Sequence, residues 1–540
     1  MAERVGFEPT VGLHLRLISS QVHSTTLPPL RGRGFYHRAA PSEVVERGHG
    51  GGSWHNAAPL FPGSAMGRSF IRSLRVSCCA LLLVACERLD APEQGGELVV
   101  AIRNGPSSYQ IENAVASGFE YDLVEAFAAK RGLKVRYVIA GDQNALRELV
   151  RAHKVHFAAS AEVEDEADLV FTTPVLETEP VLVAAADNPA LQDDEQPIPD
   201  GARVSAMFAS PQADALTRMA GTPPRFRLTQ RSGIAEFELL REASEQRIDL
   251  VATDMLQYRL ALQLLPDLEV VDTLPGKIHI AWEFALKEGA LWQAADEFIA
   301  EARRSGQLAR LKDRYFGHIE RIKPQGIAGL LDDIRTLLPR YRKDFQDAQA
   351  SSGIDWRLLA ALAYQESKWD PNATSPTNVR GMMMLTEDTA DRLRVSNRLD
   401  ARQSILAGAR YLADLRDELP EEVQEPDRLW LALAAYNLGM GHMNGARAIA
   451  VGMKRDPNSW YEMKKVLPLM AQPEIYAHLK SGPARGGEAV ILVENIRTYF
   501  GILSHFEPAW QPGLVPYKPD FSLRKAAPAR PGKAARPPGP

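Results

Sequence analysis

Apolar positions recur along this chain with two periods, and the change from one to the other divides it. In the first half, segments that alternate apolar and polar residues, or run as short apolar stretches, predict strands at Glu97–Arg103, Lys134–Ala140 and 155–161. Between them, apolar residues spaced three and four apart predict helices at Phe119–Arg131, closed by Gly132, and at 143–152. A polar, acidic, proline-containing segment at 187–201 interrupts the series, and a second set follows it. That set has strands near 203–209, 225–229 and 248–253, with helices near 211–220, 233–245 and 254–263. Strand–helix alternation predicts parallel α/β sheets, and two such sets joined by crossing connections predict a two-lobed clamshell. From residue 327 onward only the helical period remains, at 327–337, 340–350, 356–367, 387–393, 401–418, 428–438 and 490–503. A run of that kind predicts a separate, mostly α domain. The tail from about Lys518 is dense in Pro, Ala, Lys and Arg and is expected to be disordered.

One helix carries an unusual residue. Asp355 is a good N-cap, 356–367 contains no Gly or Pro, and Pro371 makes continuation difficult. Leu359, Leu362, Ala363 and Glu366 follow the spacing of a buried helical face. An ionised carboxylate on that face loses hydration, so its pKa rises and it holds a proton at neutral pH. Such a group can protonate a leaving oxygen. The plainer alternative is a glutamate at a frayed helix end or one paired with an arginine.

Composition narrows the classes. At 540 residues the chain has room for two or three domains, and a net charge of -5 offers no basic field for a polyanion, so no nucleic-acid partner is expected. Scattered histidines give no metal-ligand spacing, and no metal or cofactor is expected. The three cysteines, Cys78, Cys79 and Cys86, fall in one short stretch, which excludes a disulfide framework for everything after it. That stretch, MGRSFIRSLRVSCCALLLVAC from Met66, has the basic start, apolar run and terminal cysteine of a signal peptide. Leu83, Val84, Ala85 and Cys86 resemble the bacterial lipobox, which implies lipidation of Cys86, and Glu87 after it fits sorting to the outer membrane. The alternatives are an ordinary cleaved signal or a short buried helix. Residues 1–65 lack periodicity and precede a complete signal with its own Met66, so they are expected to be a non-native or disordered extension.

Three short blocks frame Glu366. Glu366-Ser367 is followed by Ser375 and by Gly381 with Met382, Met383 and Met384; further on, Ala434, Ala435, Tyr436 and Asn437 precede what reads as a glycine-rich turn, Gly439-Met440-Gly441. The ES, GMMM and AYN blocks, within YQESKWDP and SPTNVRGMMMLT, resemble the goose-lysozyme-like catalytic domain of lytic transglycosylases. YFGHIER at 315–321 and ARGGEAVILVENIR at 484–497 are similar to the same family's domain junction and closing helix. The resemblance implies a lysozyme-like fold in which Glu366 is the catalytic acid, with Ser367, Ser375, Met384, Tyr436 and Asn437 at the substrate. It further implies murein glycan strands as substrate, cut between N-acetylmuramic acid and N-acetylglucosamine with 1,6-anhydro ends. Met382 and Met383 fit either the cleft floor or the core. Asp370 and Glu387, the nearest other carboxylates, adjoin helix boundaries and are expected to cap or solvate them. The chain departs from the family where Pro483 and Leu492 stand in place of usual tyrosines.

The order GELVVAIRN, SGFEYDLVEAFA, IDLVATD, ALKEG and ARLKDRYFG resembles the family 3 periplasmic solute-binding proteins. By that resemblance the clamshell holds a small ligand, an amino acid or a muropeptide, with Arg103 and Asp254 facing it. For Asp254 the alternative is a cap on the next helix. A departure occurs at 161–168, AEVEDEAD, where the family places a threonine-rich turn with an arginine that grips a carboxylate.

The expected organisation is therefore an extension at 1–65, a lipoprotein signal at 66–86, a solute-binding-like clamshell at 87–320, a transglycosylase domain at 321–510 and a tail at 511–540. Two functions are open at this point. One is a murein lyase anchored by lipid to the periplasmic face of the outer membrane. The other is an outer-membrane lipoprotein that senses peptidoglycan, muropeptides or amino acids without cutting.

Overall fold

The computed structural model describes residues 89–511, apart from 106, 113–114, 189–196, 287–288 and 478. The extension at 1–65, the signal at 66–86 with Cys86, and the tail from 512 lie outside the described residues. Among the described residues no helix is long and apolar enough to cross a membrane.

The first lobe is built from β1 (Glu97–Arg103), α1 (Phe119–Arg131), β2 (Lys134–Ala140), α2 (Gln143–Arg151), β3 (Phe157–Glu162), β4 (Leu169–Phe171) and β5 (Leu176–Thr178). One residue, Glu179, links it to the second lobe. There β6 (Pro180–Ala185), β7 (Arg203–Met207), α3 (Pro211–Ala220), β8 (Arg227–Arg231), α4 (Glu236–Ser244), β9 (Leu250–Asp254), α5 (Met255–Leu262) and β10 (Leu268–Thr273) follow. The chain then returns to the first lobe through β11 (Ile278–Ala285), α6 (Gly289–Arg304) and α7 (Gln307–Phe316). The sheets run β2-β1-β3-β11-β4, with β5 also on β11, and β8-β7-β9-β6-β10.

Each sheet is mixed, which corrects the expectation of parallel sheets. β1 is parallel to β2 and β3, and β7 to β8 and β9, as the strand–helix alternation requires. The two strands that enter and leave the second lobe reverse the direction: β6 is antiparallel to β9 and β10, and β11 to β3, β4 and β5. A chain that crosses between lobes twice has to bring return strands into each sheet, and antiparallel pairing needs no helical crossover.

The acidic run at 161–168 is balanced from a neighbouring element. Buried Arg147 on α2 pairs with Glu164, and Arg151 meets Glu166 at 2.8 Å and Asp168 at 2.9 Å.

The helical domain contains α8 (Pro324–Thr336), α9 (Leu338–Ser352), α10 (Trp356–Ser367), α11 (Glu387–Arg392), α12 (Ala401–Asp417), α13 (Asp427–Leu438), α14 (Met440–Gly452), α15 (Trp460–Val466), α16 (Pro473–Tyr476) and α17 (Gly486–Phe506). α10 lies at its centre, and every side chain from Trp356 to Tyr364 is buried. Its apolar character all round is that of a core helix rather than a one-faced surface helix. The expected glycine-rich turn at 439–441 is corrected: Gly439 alone turns the chain, at φ 84°, and α14 begins at Met440. Met443, Ala446 and Ala450 give α14 a buried stripe that outweighs its glycines.

Candidate active site

α10 ends just past Glu366. Asp355 caps its start by accepting the Arg357 N–H at 2.8 Å, and Lys368 turns the chain out through a left-handed conformation at φ 55°. The turn is held by Trp369, whose indole N–H donates to the Ala360 carbonyl at 2.8 Å, and by Lys368, whose ammonium donates to the Tyr499 hydroxyl at 2.9 Å. Glu366 is thereby fixed on the last turn of a buried helix with its carboxyl half-buried. Among the described residues it has neither an ion pair nor a hydrogen bond, and burial pushes its pKa up to about 7. Among the described residues no arginine pairs with it, as the structural alternative would require.

The GMMM run forms the adjoining wall and is held by three hydroxyls. Ser367 donates to the Met382 carbonyl at 2.8 Å, Tyr436 donates to the Met383 carbonyl at 2.8 Å, and Ser404 on α12 accepts the Met383 N–H at 3.1 Å. Gly381 is required here: its φ is 85°, and a Cβ would lie 1.9 Å from the Arg398 carbonyl oxygen. Gly408 on α12 is required too, because a Cβ there would meet the Met383 side chain at 2.8 Å. Of the two readings for Met382 and Met383 the structure takes the core, since both are fully buried. Met384 is half-exposed, at φ 47°.

The structure thus brings Glu366, Ser367, Met384 and Tyr436 together. Burial, and then the charge of Glu366, raises the Tyr436 hydroxyl well above the ordinary tyrosine range, so the two lie within electrostatic reach of each other. Asn437 is exposed on the last turn of α13. Ser375 sits in the preceding loop, where its hydroxyl accepts the Val379 N–H at 3.1 Å, and the loop is tied to the wall through Gly381 N–H donating to Ala373 at 2.9 Å. Asp370 accepts the Asn372 N–H at 2.9 Å and Glu387 faces Arg398 at 3.6 Å, so both nearby carboxylates are engaged locally. Leu492 is buried in the helical core. Sequence reasoning missed Ser404, Gly408 and Arg398, and nothing local in 398–408 marks them, because their role depends on where α12 lies.

In the clamshell, Arg103 at the end of β1 meets Glu236 on α4 of the other lobe at 3.2 Å, and Glu162 at 3.8 Å. Asp254 caps α5, accepting the Leu256 and Gln257 N–H groups at 2.8 and 3.1 Å, while also facing this cluster. The capping alternative is therefore real, and burial with the Glu236 charge pushes Asp254 up to about 7. Glu162 and Glu236 were not foreseen. Their signal was position, at a strand end and a helix start, where α/β folds gather ligand groups.

A clamshell at the N-terminal side followed by a helical domain with an isolated acid defines a two-lobed, ligand-binding type of module joined to a module equipped with a general acid. Residues 98–318 match the model for bacterial extracellular solute-binding proteins, family 3, and residues 343–456 match the transglycosylase SLT domain. The chain is 41% identical over 458 residues to membrane-bound lytic murein transglycosylase F of Nitrosospira multiformis, covering 83% of this chain and 95% of that one. The protein of the same name from Methylobacillus flagellatus is 39% identical over 461 residues, covering 82% of this chain and 96% of that one. This chain belongs to the membrane-bound lytic murein transglycosylase F family.

Proposed function

We propose that this chain cleaves the β-1,4 bond between N-acetylmuramic acid and N-acetylglucosamine in peptidoglycan and leaves 1,6-anhydromuramic ends. One observation carries the reading: half-buried Glu366 has no ion pair or hydrogen bond among the described residues, is raised to about 7 by burial alone, and lies within electrostatic reach of Tyr436 in the ES, GMMM and AYN setting. Protonated, it donates to the bridging oxygen after N-acetylmuramic acid as that bond breaks. As the resulting carboxylate it takes the proton from the 6-hydroxyl of the same sugar, whose oxygen closes on the anomeric carbon. The substrate's N-acetyl group steadies the positive centre meanwhile. A second carboxylate is not needed when the nucleophile is the sugar's own hydroxyl, and the local engagement of Asp370 and Glu387 fits that economy.

The other site residues divide by what their polar atoms already do. Ser367 and Tyr436 spend their hydroxyl protons on the Met382 and Met383 carbonyls, so they shape the wall, and Tyr436 offers its ring face to sugar. Asn437 and Ser375 supply polar groups at the cleft edge, and the half-exposed Met384 an apolar one. Lipidation at Cys86 anchors the protein to the inner leaflet of the outer membrane, facing the periplasm and its glycan.

Digesting purified murein with the protein and determining product masses tests the reading. Anhydro-muropeptides are expected. Products with reducing ends would make it a hydrolase, and the absence of products would make it a binding lipoprotein.

A further inference from the structure

The cleft between the two lobes is closed by the chain's own side chains. Three contacts cross it: Arg103 to Glu236 at 3.2 Å, the Gly233 N–H to Asp142 at 3.1 Å, and the Gln257 amide to the Ser107 hydroxyl at 3.1 Å. Glu236 is fully used, because its second oxygen accepts from Thr253 at 2.6 Å. A guanidinium at the end of a first strand is where an incoming carboxylate would bind, and here a carboxylate is already built in.

Charge and hydrogen-bond capacity are both out of balance around it. Arg103 is the cation facing three buried acids, Glu162, Glu236 and Asp254. The cavity that remains has a volume of about 10 Å³ and is lined by Arg103, Gln143, Glu162, Gln212 and Glu236 among others. Two side-chain oxygens on its wall lack a hydrogen-bond partner among the described residues: Oε2 of Glu162, a residue 6% exposed, and Oε1 of Gln212, 3% exposed. They come from opposite lobes, at the end of β3 and the first turn of α3. The other Glu162 oxygen is met by Gln143 at 3.2 Å. A buried acceptor without a donor is costly, so these two atoms mark where N–H groups are missing. The helix starts around the cleft, which would otherwise attract an anion, already face acidic or capping side chains: Asp142 on α2, Ser210 on α3 and Asp254 on α5.

We propose that this cleft binds a small organic cation through a protonated amine, and excludes a carboxylate because Glu236 occupies Arg103. The ammonium donates to Glu162 and Gln212 and balances the surplus negative charge. Its remaining part is small or lies outside the closed lobes, because the free space holds about one water-sized group. Selectivity follows from what is already in place: a carboxylate entering here meets a guanidinium paired with Glu236 and three acids gathered around it.

Calorimetry on the full chain with ethylamine, acetate and L-alanine at constant ionic strength tests this. Saturable 1:1 binding of ethylammonium, with no heat from acetate or L-alanine, is expected. The near-isosteric Glu162→Gln removes the charge and is expected to weaken ethylammonium by about tenfold or more. Gln212→Leu, which touches no ion pair, is expected to weaken it in the same direction and serves if Glu162→Gln does not fold. Glu236→Gln frees Arg103 and is expected to create acetate binding that the natural chain lacks. Wild-type protein that binds acetate or L-alanine as well as ethylammonium, or that does not bind ethylammonium, overturns the proposal. So does undiminished ethylammonium binding in the two cleft variants.

Discussion

Two buried-acid settings in this molecule share a pKa near 7 and differ in how they reach it. Glu366 in the helical domain reaches it through burial alone and has no partner among the described residues. Glu162 and Asp254 in the clamshell reach it through burial opposed or reinforced by a network of Arg103, Glu236, Thr178 and backbone N–H groups. A raised pKa by itself therefore does not distinguish a reactive acid from an architectural one. The partners do: Asp254 accepts from Thr178 and from the Leu256 and Gln257 N–H groups and holds the fold, whereas Glu366, and Oε2 of Glu162, have sites open to another molecule.

Replacements at the two sites should break this comparison in opposite ways. Glu366→Gln should reduce murein cleavage by about a thousandfold, within the usual range for a general acid, while leaving the fold intact. Because the folded pKa of Glu366 is raised, the native state binds its proton more tightly than the unfolded chain. Its ionisation thus costs stability progressively from the ordinary carboxylate range up to about pH 7. Glu366→Gln should then be the more stable protein at pH 8, by up to about 3 kcal/mol, with little difference at pH 4, in denaturant titrations at the two pH values.

Arg103→Met should do the reverse. It leaves Glu162, Glu236 and Asp254 without their cation, so the clamshell should lose about 3–5 kcal/mol, read as a lowered midpoint of thermal unfolding. Gly381→Ala probes the wall of the active site, where a side chain would meet the Arg398 carbonyl and hold an unfavourable φ. A loss of about 1–3 kcal/mol is expected, with cleavage falling as the wall shifts. The smallest effect should come from Tyr436→Phe, which strips the Met383 carbonyl of one donor, for about 1 kcal/mol in a denaturant titration.

Much of this was legible in the residues, for local reasons. Glu97–Arg103, Phe119–Arg131, Lys134–Ala140 and Trp356–Ser367 have the bounds that their patterns imply, because each starts and stops on a cap, a glycine or a turn. β11 and α6 escaped. In β11, Glu283 is buried at a position where a sequence reader expects solvent, since its partner Arg147 stands 3.9 Å away on α2, far off in the chain. α14 was hidden by glycines that tertiary packing overrode. At the active site Glu366 was readable because periodicity put an acid on an apolar face. That Met382 and Met383 are fully buried while Met384 stays half-exposed was not readable, because three hydroxyls on α10, α12 and α13 hold the Met382 and Met383 backbone. In the clamshell Arg103 was readable as a cleft residue, whereas its occupation by Glu236 depends on how two lobes meet.

The central claim is that burial without a partner keeps Glu366 protonated near neutral pH. Carbon NMR of the full chain, with labelled glutamate side chains and Glu366→Gln to assign the signal, measures this directly. A Glu366 midpoint close to 7 is predicted. A midpoint in the ordinary glutamate range, near 4, would contradict the account.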